Sequence, residues 1–236
     1  MWRFAPERGR QLVSPGDGEV YMAIDDSKTA ASESRLRNEP VQARSAARLS
    51  ALLDAAALLV DEVGYERLTT AMVAERANAS IGTVYRYFPD RLAVLDGLAG
   101  RALTRFMERI EREFDARGPA TIAERFDVIV DTLIYFYRNE PGYRVLRFGD
   151  VIDANFADGM DRTDHALARA LGETLRRRDA SLDAEDLAFR LQVALAICET
   201  LVHRAFASRD ECDTRFVDEA KAIAGRYLAG HSMQGE

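Results

Sequence analysis

Leu49, Leu52, Leu53, Ala56, Leu59, Val60 and Val63 recur at intervals of three and four residues. That spacing predicts a helix of about five turns with one apolar face, ended by Gly64 at the position where a left-handed residue commonly closes a helix. Val73, Ala74 and Ala77 repeat the pattern on a shorter scale, with Thr69 as the cap of that helix. Asn78-Ala79-Ser80 reads as a turn, since Asn78 tolerates the left-handed backbone and Ser80 is a good cap for a helix over residues 81–87. In that third helix Val84 and Phe88 lie four apart and face the core. Gly82, Thr83, Arg86 and Tyr87 fall on the other side, with Tyr85 at the edge.

The remainder of the chain also reads as helix. One helix is predicted over residues 90–116, capped by Asp90 and stopped by Gly118-Pro119. Thr121 and Glu124 form a capping box that opens a helix carrying Ile122, Phe126, Ile129, Val130, Leu133, Ile134 and Tyr137, closed by Pro141-Gly142. Further helices are predicted over 143–148, 160–178, 183–208 with Ser181 as cap, and from Asp213 or Thr214 to about 228. No segment alternates like a strand, and no solenoid repeat is present. The fold expected is all-α. Residues 1–40 read as a flexible leader without periodicity, 41–89 as a three-helix N-terminal domain, and 90–236 as a C-terminal helical bundle.

Two short helices joined by a three-residue turn make a helix-turn-helix, and the side chains of the second helix suit DNA. Gly82 lets the backbone approach a phosphate or base edge. Thr83, Tyr85 and Tyr87 carry hydroxyls that donate to phosphate oxygens. Arg86 can present two donors to a guanine edge, and Ile81 is placed to touch a thymine methyl. Free N–H groups at the start of this helix, after Ser80, favour phosphate. Arg44 and Arg48 open the first helix where an arm would touch DNA, and Arg35 and Arg37 before Pro40 suit a minor-groove arm. Arg91 stands in the first turn of the fourth helix, beside the recognition helix. A short solvated helix with packing tyrosines is the bland alternative.

Charge alters this picture only in part. The net charge is −7, but residues 35–104 carry 9 basic against 8 acidic side chains while residues 105–236 carry 19 against 25. The acid therefore sits away from the motif, and DNA binding is expected to lean on a few placed arginines and to be steeply salt-dependent. Hydrophobic residues at 47% and charged residues at 30% indicate a chain with a real core. No apolar run approaches the ~20 residues of a membrane helix, and no basic-then-apolar leader marks a secretory signal. Cys198 and Cys212 read as reduced cytoplasmic thiols. His165, His203 and His231 are far apart with no metal-ligand spacing. With no Gly-rich phosphate loop and no nucleophile elbow, no metal, cofactor or catalytic activity is expected.

The stretch from Arg44 to Leu98 resembles the DNA-binding domain of the TetR (tetracycline-repressor-like) transcriptional regulators. The resemblance rests on Val63-Gly64-Tyr65, Leu68-Thr69, Val73-Ala74-Glu75-Arg76-Ala77, Ser80-Ile81-Gly82-Thr83-Val84-Tyr85-Arg86-Tyr87-Phe88, Arg91 and Leu95. It implies phosphate contacts at Thr69, Thr83, Tyr87 and Arg91, with neighbouring Thr70 beside them, and groove-facing positions at Tyr85 and Arg86. The family's usual turn glycine is Asn78 here, a frequent base-reading arginine is Ala71, and an often basic position is Ile81. Those departures leave Arg86, Arg44 and Arg48 as the expected sequence readers.

The same resemblance implies a homodimer through the last two long helices, whose stripes are Leu187, Leu191, Leu195 and Cys198, then Phe216, Ala220, Ile223 and Tyr227. Closing the monomer core is the other reading of those stripes. One recognition helix buries too little to be specific, whereas two related by a two-fold read half-sites ~34–36 Å apart. A ligand cavity is implied among Phe106, Met107, Phe126, Ile129, Leu133, Tyr137, Phe148 and Phe156, with His165 and His203 as polar contacts. The expected function is a cytoplasmic repressor that binds double-stranded operator DNA and leaves it when a small-molecule effector binds. The alternatives are a regulator answering to a protein partner, a constitutive one, or a helical enzyme with an appended helix-turn-helix.

Overall fold

The computed structural model describes residues 27–146, 163–182, 184–207 and 212–230. The chain separates into two compact units, Met1–Ser45 and Ala46–Glu236. In the first unit the described residues are helical. They belong to α1 (Ser27–Val63), which corrects the expectation of a leader without structure up to residue 40. Ala30, Ala31, Glu33, Arg35, Leu36 and Arg37 are strong helix formers, and that local preference outweighed the lack of an apolar stripe.

The second unit holds the rest of α1, a single 3-10 turn (Tyr65–Arg67), α2 (Thr70–Arg76), α3 (Ile81–Tyr87) and α4 (Arg91–Arg117). It continues with α5 (Ile122–Asn139), α6 (Tyr143–Leu146), α7 (Thr163–Arg178), α8 (Ala184–Ala205) and α9 (Thr214–Ala229). Among the described residues every element is helical.

Two hydrophobic cores organise this unit. The head core joins Leu52, Leu53, Ala56, Ala57, Leu59 and Val60 of α1 with Leu68, Val73, Ala74, Val84 and Phe88. The body core joins Phe106, Ile110 and Phe114 with the apolar faces of α5, α7, α8 and α9. Helix α4 belongs to both: Val94, Leu95 and Leu98 are buried in the head, and its later residues in the body. A displacement of α4 is thereby felt in both cores.

Most predicted caps are present. The Asp90 carboxylate accepts from the Ala93 amide at 2.8 Å, the Thr121–Glu124 capping box closes in both directions, and Asp213 caps α9. Ser181 does not cap α8. Its amide and hydroxyl both donate to Asp179 at the end of α7, and α8 begins at Ala184. The predicted elements between residues 147 and 162, with Phe148 and Phe156, lie outside the described residues.

Candidate DNA-binding site

The turn between α2 and α3 forms because Asn78 accepts a left-handed backbone, at φ 48°. The Asn78 amide then reaches the Glu75 carbonyl at 3.1 Å, and the Ala79 amide reaches the Ala74 carbonyl at 2.9 Å. This pair of bonds is the glycine-type helix ending, achieved with asparagine. Thr69 caps α2 by accepting from the Met72 amide at 3.1 Å. Ser80 caps α3 by accepting from the Thr83 amide at 3.1 Å, and its hydroxyl also shares a hydrogen bond with the Thr83 hydroxyl at 2.9 Å.

Ion pairs and long side chains fix the motif on its supports. The Arg76 guanidinium grips Glu62 of α1 with two bonds of 2.9 and 2.6 Å, and this holds the Glu62 carboxyl below the ordinary carboxylate range. One N–H group of Arg91 donates to the Glu66 carbonyl at 2.7 Å, tying the start of α4 to the 3-10 turn. The Thr70 hydroxyl reaches the Tyr85 hydroxyl at 3.4 Å, linking α2 to α3.

The predicted DNA-binding residues therefore fall into two groups. Thr69, Ser80, Thr83 and Arg91 hold the motif's own geometry with the side chains expected at phosphates. Tyr87 is half-buried and packs against the head core. Ile81, Gly82, Tyr85 and Arg86 form the exposed outward face of α3. Arg86 has no partner among the described residues. Arg44 and Arg48 are exposed on α1. Val84, fully buried, anchors the opposite face.

The contacts that connect head to body were not visible in the sequence. The Arg101 guanidinium binds Asp54 at 2.6 Å and the Leu53 carbonyl at 3.2 Å. Beside these, within the body, Arg105 binds Glu140 at 2.7 Å. The Gly142 amide donates to the Asp61 carboxylate at 2.8 Å, and Val145 of α6 packs against the head core. These partners are 35 to 81 residues apart in sequence, so no local pattern announces them.

In the body, Phe106, Phe126, Ile129, Leu133 and Tyr137 are buried in the core, with Met107 packed beside them. Phe106 meets Phe136 edge-on at 5.2 Å, and Tyr137 stacks on Phe206 at 5.3 Å. His203 is exposed and tilts toward the Tyr137 ring at 6.5 Å, and His165 lies on α7. A cavity of about 20 Å³, room for about one water, lies between Leu98, Ala102 and the Glu140–Tyr143 turn.

Much of the stripe expected between two copies is buried inside the subunit. Leu187, Leu191, Leu195, Cys198 and Ala220 are buried in the body core, and Phe216, Ile223 and Tyr227 are partly buried. The cause is close packing: alanines and Cys198 let α8 and α9 approach until the Cys198 thiol reaches the Ala220 carbonyl. Burial pushes that thiol up to about 12. On the opposite side of α8, Phe189 is 62% exposed.

Residues 52–98 match the family profile of bacterial regulatory proteins of the tetR family, and residues 120–232 match that of the tetracyclin repressor-like C-terminal domain. The HTH-type transcriptional repressor KstR of Rhodococcus jostii is 31% identical over 133 residues, covering 54% of this chain and 61% of its own length. The chain thus spans less than two thirds of that curated relative. The crystal structure of a TetR-family regulator from Streptomyces coelicolor is 32% identical with a TM-score of 0.68, covering 78% of this chain and 98% of that one. FadR of Bacillus subtilis, solved in complex with stearoyl-CoA, shares the fold at 17% identity and a TM-score of 0.55, covering 77% of this chain and 98% of its own. With a matching profile over head and body, and a solved relative aligned over nearly its whole length, this chain belongs to the TetR family of transcriptional regulators.

Proposed function

We propose that the chain is a sequence-specific repressor that acts in the cytoplasm as a homodimer and leaves its operator when a small apolar or amphipathic molecule enters the body. The observation that carries this reading is the sharing of α4: its first turns are buried with the recognition motif and its later turns among the rings of the body. A ligand that favours another packing of those rings biases the position of α4, and with it the spacing of two recognition helices. A coupling of about 1–3 kcal/mol weakens operator affinity several-fold to a hundredfold. KstR is a transcriptional repressor, which supports repression by this chain, and the Bacillus FadR structure holds stearoyl-CoA, which supports an apolar or amphipathic effector.

The buried stripe of α8 moves the expected contact between copies to the other side of that helix. Phe189, with Val193, Ala196, Ile197 and Thr200 on the same side, is apolar and small enough for close helix contact. A second reading, control by a protein partner without a small ligand, is favoured by the complete burial of Phe106, Phe126, Ile129 and Leu133.

The test is binding of the purified chain to duplex DNA from just upstream of its own gene, with and without long-chain acyl compounds and other small apolar metabolites. Retention of a specific duplex, released by one of these classes, is the expected result. Arg86→Ala should cost about 1–3 kcal/mol and relax one base position. A duplex bound equally well with and without every ligand points to the second reading, and no binding to any duplex removes both.

A further inference from the structure

The outward face of α3 is divided in two. Ile81 is its first helical residue, and Tyr85 follows one turn later on the same side. Arg86 stands on the other side, with Gly82 between them contributing no side chain. Ile81 is 43% exposed and Tyr85 53%, two of the five large apolar or aromatic side chains exposed among the described residues. Packing does not account for this, because the buried anchor of the helix, Val84, lies on the opposite face. The Thr70 hydroxyl of α2 lies 3.4 Å from the Tyr85 hydroxyl, and the four-residue spacing sets Tyr85 one helical turn from Ile81. Ala71, also exposed on α2, adds only a methyl group.

A recognition helix usually meets base edges with donors and acceptors. Here the first side chain past the cap is pure hydrocarbon, and an aromatic ring flanks it. Only one base offers hydrocarbon in the major groove, thymine through its C5-methyl group. A water-exposed isoleucine gains by covering such a methyl, while an adenine, cytosine or guanine edge placed there loses hydration without a partner.

We infer that Ile81, walled by the Tyr85 ring, reads the C5-methyl of a thymine in each operator half-site, and that Arg86 reads the neighbouring polar edge. This rests on the DNA-binding reading above and names the base class that the site selects. Because the contact is apolar, it contributes specificity without adding a positive charge to a head whose balance is only +1 over residues 35–104.

The experiment is selection of bound duplexes from a random pool by the wild-type chain, followed by titration with each selected thymine replaced in turn by deoxyuracil, which lacks only the methyl. One replacement per half-site is expected to weaken wild-type binding about threefold to tenfold and to leave Ile81→Ala unchanged. The Ile81→Gln variant, selected from the same pool, should exchange thymine for adenine at that position. Ile81 is exposed and alanine is the better helix former, so Ile81→Ala tests recognition rather than folding. Uracil replacements that never weaken wild-type binding, or that weaken Ile81→Ala equally, overturn the inference while leaving DNA binding intact. If the wild-type chain enriches no duplex, the DNA-binding reading fails first and the inference with it.

Discussion

The head and the body of this chain are packed by opposite means. In the head, Ala55, Ala56, Ala57 and Ala74 bring backbones close around a few leucines and valines, and charged side chains clamp the outside. In the body, large rings dominate: Phe106, Phe114, Phe126, Phe136, Tyr137 and Tyr143 are all nearly or fully buried. A core of small residues under clamps has few ways to rearrange, which suits a part that must hold α3 at one angle. Rings meeting edge-on, such as Phe136 with Phe106 at 5.2 Å and with Tyr143 at 5.4 Å, would have to re-pack around any molecule that enters among them, which suits a part that answers to a ligand. The two cores should therefore fail in different ways, the body on losing atoms and the head on gaining them.

The largest effect tests the body. Phe126 is fully buried, and Phe126→Ala should cost about 3–5 kcal/mol through lost burial and an unfilled cavity, seen as a lower urea midpoint with an unchanged slope. A loss under about 1 kcal/mol would mean that neighbouring rings collapse freely into the space. The matching test of the head adds one methyl. A β-carbon on Gly97 would lie 2.9 Å from Phe88 Cε1 and 3.1 Å from Leu53 Cδ2, where α4 crosses the end of the recognition motif. Gly97→Ala should cost about 1–3 kcal/mol by overpacking and should weaken DNA binding as Phe88 is displaced. A Gly97→Ala protein with full stability and full affinity would contradict the picture of a rigid head.

The head was readable from sequence because its determinants are local. Asn78, Ser80 and Thr69 act within three to five residues of where they stand, so turn and caps follow from residue type alone. The roles of the polar side chains were less legible. Thr69, Thr83 and Arg91 carry groups suited to phosphate and also serve the motif itself: Thr69 accepts from an amide, Thr83 shares a bond with the Ser80 hydroxyl, and one N–H of Arg91 donates to a carbonyl. Periodicity finds which face of α8 and α9 is apolar but not whether its partner is the same subunit or another. Here Leu187, Leu191, Leu195, Cys198 and Ala220 are buried within the subunit, while Phe216, Ile223 and Tyr227 are only partly buried. The ties that join head to body are invisible to any local pattern, since Asp61 and Gly142 meet across 81 residues.

Those ties give the next smaller effect. Gly142 has φ of 80°, and a β-carbon there would lie 3.3 Å from the Ala57 carbonyl oxygen. Gly142→Ala should cost about 1–2 kcal/mol from the left-handed backbone alone. It should also loosen the amide bond to Asp61, and Asp61→Ala removes that bond without touching the glycine. Amide hydrogen exchange separates the regions. Both variants are expected to speed exchange in α1 and leave α5 protected, whereas equal acceleration in both would show that head and body open as one unit.

The smallest effect probes one of the ion-pair clamps of the body, which also include Arg178 with Glu111 and Asp115. Asp131 of α5 accepts from Lys221 of α9 at 2.5 Å and from Arg117 of α4 at 2.7 Å. Burial alone would raise its pKa, but the hydrogen bonds from Lys221 and Arg117, with their charges, outweigh it and hold the carboxyl below the ordinary carboxylate range. A carboxyl depressed on folding stabilises the protein above its unfolded pKa of about 3.9, and that contribution disappears as pH falls through the lower folded value. Asp131→Asn should therefore cost under about 1 kcal/mol at pH 7, because all three side chains remain partly exposed. The gap between the two proteins should close as pH falls below about 4. A gap that persists or widens in acid would place the contribution of Asp131 in its packing rather than its charge.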